Sequence, residues 1–102
     1  MSTSTPDLAS VRARGINISE DTLTAELSDG RSISVPLAWF PRLQHGQPGE
    51  RINWRLVGGG EGVHWPALDE DISVANLLAG KRSGESPASF NQWLRGRGAK
   101  TP

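Results

Sequence analysis

The stretch TLTAELSDGRSISVP, residues 22–36, alternates apolar and polar residues on both sides of Ser28-Asp29-Gly30. That period of two belongs to half-buried strands. Leu23, Ala25 and Leu27 share one face of the first strand, and Ile33 and Val35 share one face of the second. Residues opposite each other across a hairpin lie on the same face, so the loop length is decidable. A two-residue Asp29-Gly30 loop would set Leu27 against Ser32 and Glu26 against Ile33, mixing faces. A three-residue loop, Ser28 to Gly30, sets Ala25 against Ile33 and Leu23 against Val35. The sequence therefore predicts the three-residue form, with Gly30 at positive φ as the bulge residue. Pro36 has no N–H for a ladder and closes the second strand.

Working outward, VRARGINI (11–18) supplies a preceding strand. Val11 and Ala13 are in one phase and Ile16 and Ile18 in the other, so a bulge at Gly15 is needed to restore a common face. Downstream, LAWFPRL (37–43) is short, apolar and interrupted by Pro41. A turn or a one-turn helix over the sheet edge is expected there, followed by a loop over 44–50. RINWRLV (51–57) alternates again, placing Ile52, Trp54 and Leu56 inward. On that reading Trp54→Ala costs about 3–5 kcal/mol. Gly58-Gly59-Gly60 turns the chain into a strand at 62–65, with Leu56 opposite Val63 and Trp54 opposite Trp65, through either a two- or a four-residue loop. His64 then falls on the outer face opposite Arg55. Ser73 is an N-cap for a helix carrying Val74, Leu77 and Leu78, with Gly80 at its C′ position. Ser86-Pro87 opens a second helix with a Phe90-Trp93-Leu94 stripe, expected to end by Arg95 or Gly96.

The chain has 102 residues, of which 35% are hydrophobic and 12 are glycine, with no cysteine. These values are those of an ordinary globular domain, and they leave no disulfide or thiolate metal site to consider. Eleven Lys and Arg balance eleven Asp and Glu, so bulk charge does not direct the protein to nucleic acid or acidic membranes. Residues 1–9 read as a disordered leader without basic or apolar segments, 10–80 as the core domain, 81–95 as linker and helix, and 96–102 as a tail. The cytoplasm is the expected location. The expected fold class is α+β, an antiparallel sheet of about five short strands with two to three short helices, the last two C-terminal.

Chemistry-bearing residues are few. Asp69-Glu70-Asp71 is the densest acidic run. Its spacing is not that of an EF-hand, and its place before a helix start suits a dipole cap or solvated turn. His45 and His64 do not have zinc-binding spacing. His64 paired with Asp69 or Asp71 would make an oriented base, but a packing and hydrogen-bonding histidine is favoured. GGGEG (58–62) lacks the Lys-Ser/Thr that a phosphate loop needs. Charge is uneven: Glu61, Asp69, Glu70 and Asp71 give 61–80 a net −4, whereas Lys81, Arg82, Arg95, Arg97 and Lys100 against Glu85 give 81–102 a net +4. A basic tail of that size binds nucleic acid weakly. Trp39, Phe40 and Arg42 have the composition of a binding hot spot if they face solvent, and of a core lid if they do not.

DGRSISVPLAWFPRL (29–43) followed by ERINWRLVGGGEGVHWPALDEDISVANLLAG (50–80) resembles the bacterial "domain of unknown function 2442" family. The specific parts are Trp39 to Leu43, His64-Trp65-Pro66 and Leu68 to Ser73. The resemblance implies a small α+β domain and supplies no enzymatic activity. Some similar proteins carry an added helix-turn-helix, for which one short helix after residue 80 leaves no room. Relatives are often encoded beside another small protein, in an arrangement like that of toxin–antitoxin pairs, which implies a protein partner.

The leading functional expectation is a non-enzymatic interaction or regulatory module, the antitoxin-like member of such a pair, with Trp39, Phe40, Arg42, Asp69, Glu70 and Asp71 as its contact surface. No cofactor or metal is expected. The alternatives are a nucleic-acid accessory using Arg95, Arg97 and Lys100, and a small hydrolase built on His64 with Asp69 or Asp71. The Phe90-Trp93-Leu94 stripe must be buried on its own sheet or on a second copy, which would give a swapped homodimer.

Overall fold

The structure, a computed structural model, describes residues 11–99. The class is α+β, with six short strands among the described residues, in two three-stranded antiparallel sheets. The first sheet comprises β1 (Ala13–Ile18), β2 (Thr22–Leu27) and β3 (Ser32–Pro36). The register is the one required by face matching, with Leu23 opposite Val35 and Ala25 opposite Ile33. The Leu27 N–H donates to the Arg31 carbonyl, which leaves the three-residue loop, and Gly30 has φ 91°. The bulge in β1 falls between Ala13 and Gly15 and puts Ala13, Ile16 and Ile18 opposite Leu27, Ala25 and Leu23.

The second sheet comprises β4 (Arg55–Val57), β5 (Gly62–Trp65) and β6 (Glu70–Ser73). Leu56 is opposite Val63 and Arg55 opposite His64. The intervening loop is the four-residue form, Gly58 to Glu61. Gly60 in that loop lies against β1. A Cβ there would sit 2.7 Å from the Ala13 carbonyl oxygen, and the residue has φ 103°, so only glycine fits where the two sheets meet.

Residues 51–57 differ from the expected strand. Gln47 and Glu50 form a reciprocal capping box around Pro48 at N1, which nucleates α2 (Pro48–Arg51). The helical turn consumes Arg51, and strand pairing begins only at Arg55. Ile52 is thereby 77% exposed, and Trp54 lies outside the sheet, half-buried against the core and not opposite Trp65. The apolar turn at 37–43 resolves into a 3₁₀ turn at Leu37–Trp39 and α1 (Pro41–His45), with Pro41 at N1. Residues 70–73, expected as a turn before a helix, form β6, which places Ile72 inward opposite Val63. Ser73 does cap α3 (Val74–Leu78), its Oγ accepting from the Asn76 N–H. The N–H groups of Gly80 and Lys81 return to the carbonyls of Leu77 and Asn76, closing that helix in a Schellman arrangement.

One apolar cluster draws on both sheets and both central helices: Leu23, Leu37, Phe40, Leu43, Val63, Trp65, Leu68 and Leu77 are all essentially inaccessible. Trp65 is the largest fully buried side chain among the described residues, and its Nε1–H donates to the Arg51 carbonyl at 3.0 Å. The last helix, α4 (Pro87–Ala99), opens on Ser86, whose Oγ accepts from the Ser89 N–H. It continues past Arg95 and Gly96 because Arg97 is anchored to Glu50 through two bonds of 3.0 and 2.9 Å and lies 4.8 Å from the Trp93 ring. The leader, residues 1–9, lies outside the described residues, as does Lys100. No described helix is long and apolar enough to cross a membrane.

The core weight assigned by sequence to Trp54 thus belongs to Trp65. Urea unfolding should show Trp65→Ala destabilised by about 3–5 kcal/mol and Trp54→Ala by roughly 1–2 kcal/mol. Equal losses would contradict the assignment.

Candidate functional site

Arg42 organises the face that the sequence singled out. Leu43, wholly buried, pins the short helix α1 and so fixes where its neighbour's guanidinium emerges. Only 17% of the Arg42 side chain is exposed. Its Nε donates to both carboxylate oxygens of Glu85 at 2.9 Å, and Nη2 donates to Glu85 Oε2 as well. Nη1 reaches in the other direction, to the Asp69 carbonyl at 2.8 Å and to Asp69 Oδ2 at 3.5 Å. The Trp93 ring lies 5.2 Å from the same guanidinium. One side chain therefore ties α1, the turn before β6, the linker before α4 and α4 itself. Bidentate geometry of this kind suits arginine and not lysine.

Asp69 is the one non-glycine at positive φ among the described residues (φ 51°). The bond from Arg42 to its carbonyl holds that conformation, while 82% of its side chain is exposed. Asp71 follows on β6 with 71% of its side chain exposed, its Oδ1 accepting from the His64 Nδ1–H at 2.8 Å. Asp69 and Asp71 are thus separated: the first belongs to Arg42, the second to His64. Of the sequence's candidate base, only the His64–Asp71 pair forms, in register across β5 and β6. Among the described residues no group of three His, Asp or Glu is gathered as metal ligands.

Phe40 does not belong to an exposed contact surface. It is 4% exposed and part of the core, because the 3₁₀ turn and α1 fold their apolar sides inward. Trp39 is half-buried, with the Arg82 guanidinium 5.1 Å from its ring. Arg82 was not singled out by sequence reading. Its signal was one of two adjacent linker cations, Lys81 and Arg82, and the bond from the Ser83 N–H to the Trp39 carbonyl holds that linker at this face. Of the candidate nucleic-acid contacts, Arg97 is occupied by Glu50 and Trp93, and Arg95 is exposed on α4. Phe90 and Trp93 of α4 lie edge-on to His45 at 6.3 and 5.9 Å.

Glu70 points to the inner side of β6. Its Oε1 accepts from the Asp71 N–H at 3.0 Å, and its Oε2 is buried without a hydrogen-bond partner. Burial pushes its carboxyl above the ordinary range, against the opposing pull of the Asp71 N–H and of Arg42. Glu85 is displaced the other way, lowered first by its hydrogen bonds with Arg42. Glu50 is likewise lowered by Arg97.

The sequence profile of a protein family of unknown function, DUF2442, matches residues 13–83. The chain belongs to that family. Among solved structures, a crystal structure of a protein of unknown function from Rhodospirillum rubrum is similar at 25% identity and TM-score 0.62, covering 76% of this chain and 94% of the other. A solution structure of an uncharacterised protein from Chromobacterium violaceum superposes with TM-score 0.62 at 20% identity, covering 79% of this chain and 74% of the other. That second likeness concerns the fold alone. No curated protein matches.

Glu70 and Glu85 act on stability with opposite signs. Glu85, lowered in the folded state, stabilises above the ordinary glutamate range, and this contribution disappears as pH falls through it. Glu70, raised in the folded state, favours folding below that range, and its contribution is lost as pH rises through its elevated value. Thermal unfolding between pH 3 and 7 should therefore show that Glu85→Gln removes part of the acid sensitivity. Glu70→Gln should raise the melting temperature at pH 7 relative to wild type. A Glu70→Gln protein less stable than wild type at pH 7 would contradict the burial argument.

Proposed function

We propose that this chain is a non-enzymatic, cytoplasmic protein-interaction module, the antitoxin-like or regulatory member of a two-protein system, and that Asp69, Asp71, Trp39 and Arg82 form its contact face. The observation that carries this reading is Asp69. A non-glycine residue in the left-handed region costs free energy that the surroundings must cover, and such residues concentrate where function requires a fixed geometry. Here the surroundings are a part-buried guanidinium whose other side is clamped by Glu85, and the outcome is a carboxylate presented to solvent.

Asp71 follows two residues on, and it lines one slot together with Arg82, whose guanidinium lies over the ring of the half-buried Trp39. An aromatic body with a charged rim suits protein recognition, where the aromatic supplies buried area and the charges set orientation and encounter rate. Arg42 and Glu70 have supporting roles in this reading, positioning the turn and the strand. The nucleic-acid reading is less well supported, since Arg97 is committed to Glu50.

The test compares captured proteins. Tagged wild type, Asp69→Ala/Asp71→Ala, Trp39→Ala and the control Glu20→Ala are each used to retrieve partners from the cells that encode the chain, and the retrieved protein is purified and titrated back. One partner should bind wild type and Glu20→Ala and be weakened about tenfold or more by either face variant, with the variants' circular dichroism unchanged. Equal binding by all four proteins would overturn the proposed face.

A further inference from the structure

β6 is an edge strand. It pairs with β5 and with no other described strand. The Val74 N–H donates to the Glu61 carbonyl at 2.9 Å, which fixes the alternation: the groups of Ile72 and Glu70 face β5, while those of Asp71 and Ser73 face away. The Asp71 N–H confirms this by bonding to Glu70 Oε1. Alongside that free edge runs a slot of about 200 Å³. β6 is one wall, the linker at Lys81 to Gly84 is the other, and Phe40 lines it between them. The Ser83 N–H bond to the Trp39 carbonyl holds the linker wall in place.

An unpaired ladder edge is ordinarily protected from chance pairing by charge or by a covering side chain. Glu70 does this here, its carboxylate occupying the amide that a further strand would use. The arrangement is costly, because the second carboxylate oxygen is buried without a donor. A partner strand would relieve that cost. Its carbonyl could replace Glu70 Oε1 on the Asp71 N–H, and the released carboxylate could then take a cationic side chain.

We propose that the slot between β6 and residues 81–84 receives an extended segment of a partner protein, which adds to the free edge of β6 and brings a lysine or arginine to Glu70. The inference rests on the protein-interaction reading above and names the mode and chemistry of that contact. The cation preference follows from the unsatisfied oxygen of Glu70 and not from net charge, since Glu70 and Asp71 are matched by Lys81 and Arg82 in the lining of the slot. Asp69 and Asp71 are largely exposed, and Glu70 lacks a donor at one oxygen. Of the neighbouring cations, Arg42 is engaged with Glu85 and Asp69, and Arg82 lies over Trp39. Lys81 stands on the linker wall, where it can meet backbone carbonyls of the incoming segment. Strand addition provides main-chain hydrogen bonds for affinity, and the charged wall provides selectivity.

The probe is a capped β-prone peptide, acetyl-Thr-Lys-Val-Lys-Thr-amide, titrated into the full-length protein and followed by amide chemical shifts. Binding on the order of 1 mM is expected, with the shifts concentrated at Asp71 to Ser73 and Lys81 to Gly84. An otherwise identical peptide N-methylated at alternate residues should lose binding, because it cannot complete the ladder. Its Glu-for-Lys counterpart, and the basic peptide on Glu70→Gln, should bind about tenfold or more weakly. Equal binding of the methylated peptide, equal binding of the acidic one, or shifts located elsewhere would each overturn the proposal. If the basic peptide does not bind while the captured partner still depends on Asp69 and Asp71, strand addition falls and the interaction face stands. If the peptide binds but no partner depends on that face, the broader reading falls instead.

Discussion

The fork of Arg42 is the constraint on which the rest of this site depends. A five-residue helix such as α1 has too few internal hydrogen bonds to persist on its own; it exists because Phe40 and Leu43 are buried in the core on either side of Arg42. The guanidinium is therefore placed by apolar packing before it makes any polar contact. From that position its planar donors can serve two directions at once, Glu85 toward α4 and the Asp69 carbonyl toward β6. The turn that presents Asp69 and the linker that walls the slot are thus held from one point.

The two sheets divide the work. The first, β1 to β3, is a regular meander whose inner face completes the core. The second is shorter, carries the His64–Asp71 pair and ends in an edge whose amide is covered by Glu70. The seam between them at Gly60 and Ala13 leaves no space for a Cβ, so their relative placement is fixed by backbone contact as well as by Trp65. α4 adds little apolar area beyond Trp93 and is attached mainly through ring contacts with α1, the Arg97–Glu50 pair to α2 and the Arg42–Glu85 pair just before its start. Membership in a family of unknown function agrees with this architecture and leaves the activity to be argued from the site.

What the sequence revealed was governed by local rules. The β2–β3 register followed from face matching and glycine's access to positive φ, the β1 bulge from a phase change at Gly15, and the caps at Ser73 and Ser86 from side-chain chemistry. The second sheet was harder to read. Arg51 to Leu56 alternates perfectly, yet the Gln47–Glu50 capping box wins the first of those residues for a helical turn. β6 was hidden because Glu and Asp have poor strand propensity and sit before a good N-cap; pairing across the sheet, Ile72 with Val63 and Glu70 with Trp65, makes it a strand. Trp39, Arg42 and the acidic run were picked out by composition. Composition does not determine that Phe40 faces inward, that Asp69 and Asp71 take different partners, or that Arg82 arrives from forty residues away.

The most direct test of this account is a double-mutant cycle on Arg42 and Glu85, read from urea unfolding of wild type, Arg42→Ala, Glu85→Ala and the double variant. The pair is bidentate and mostly removed from solvent, so a coupling free energy of about 1–3 kcal/mol is predicted. Single effects that add to within about 0.3 kcal/mol would show that the two side chains act independently, and the central role given to Arg42 would be wrong.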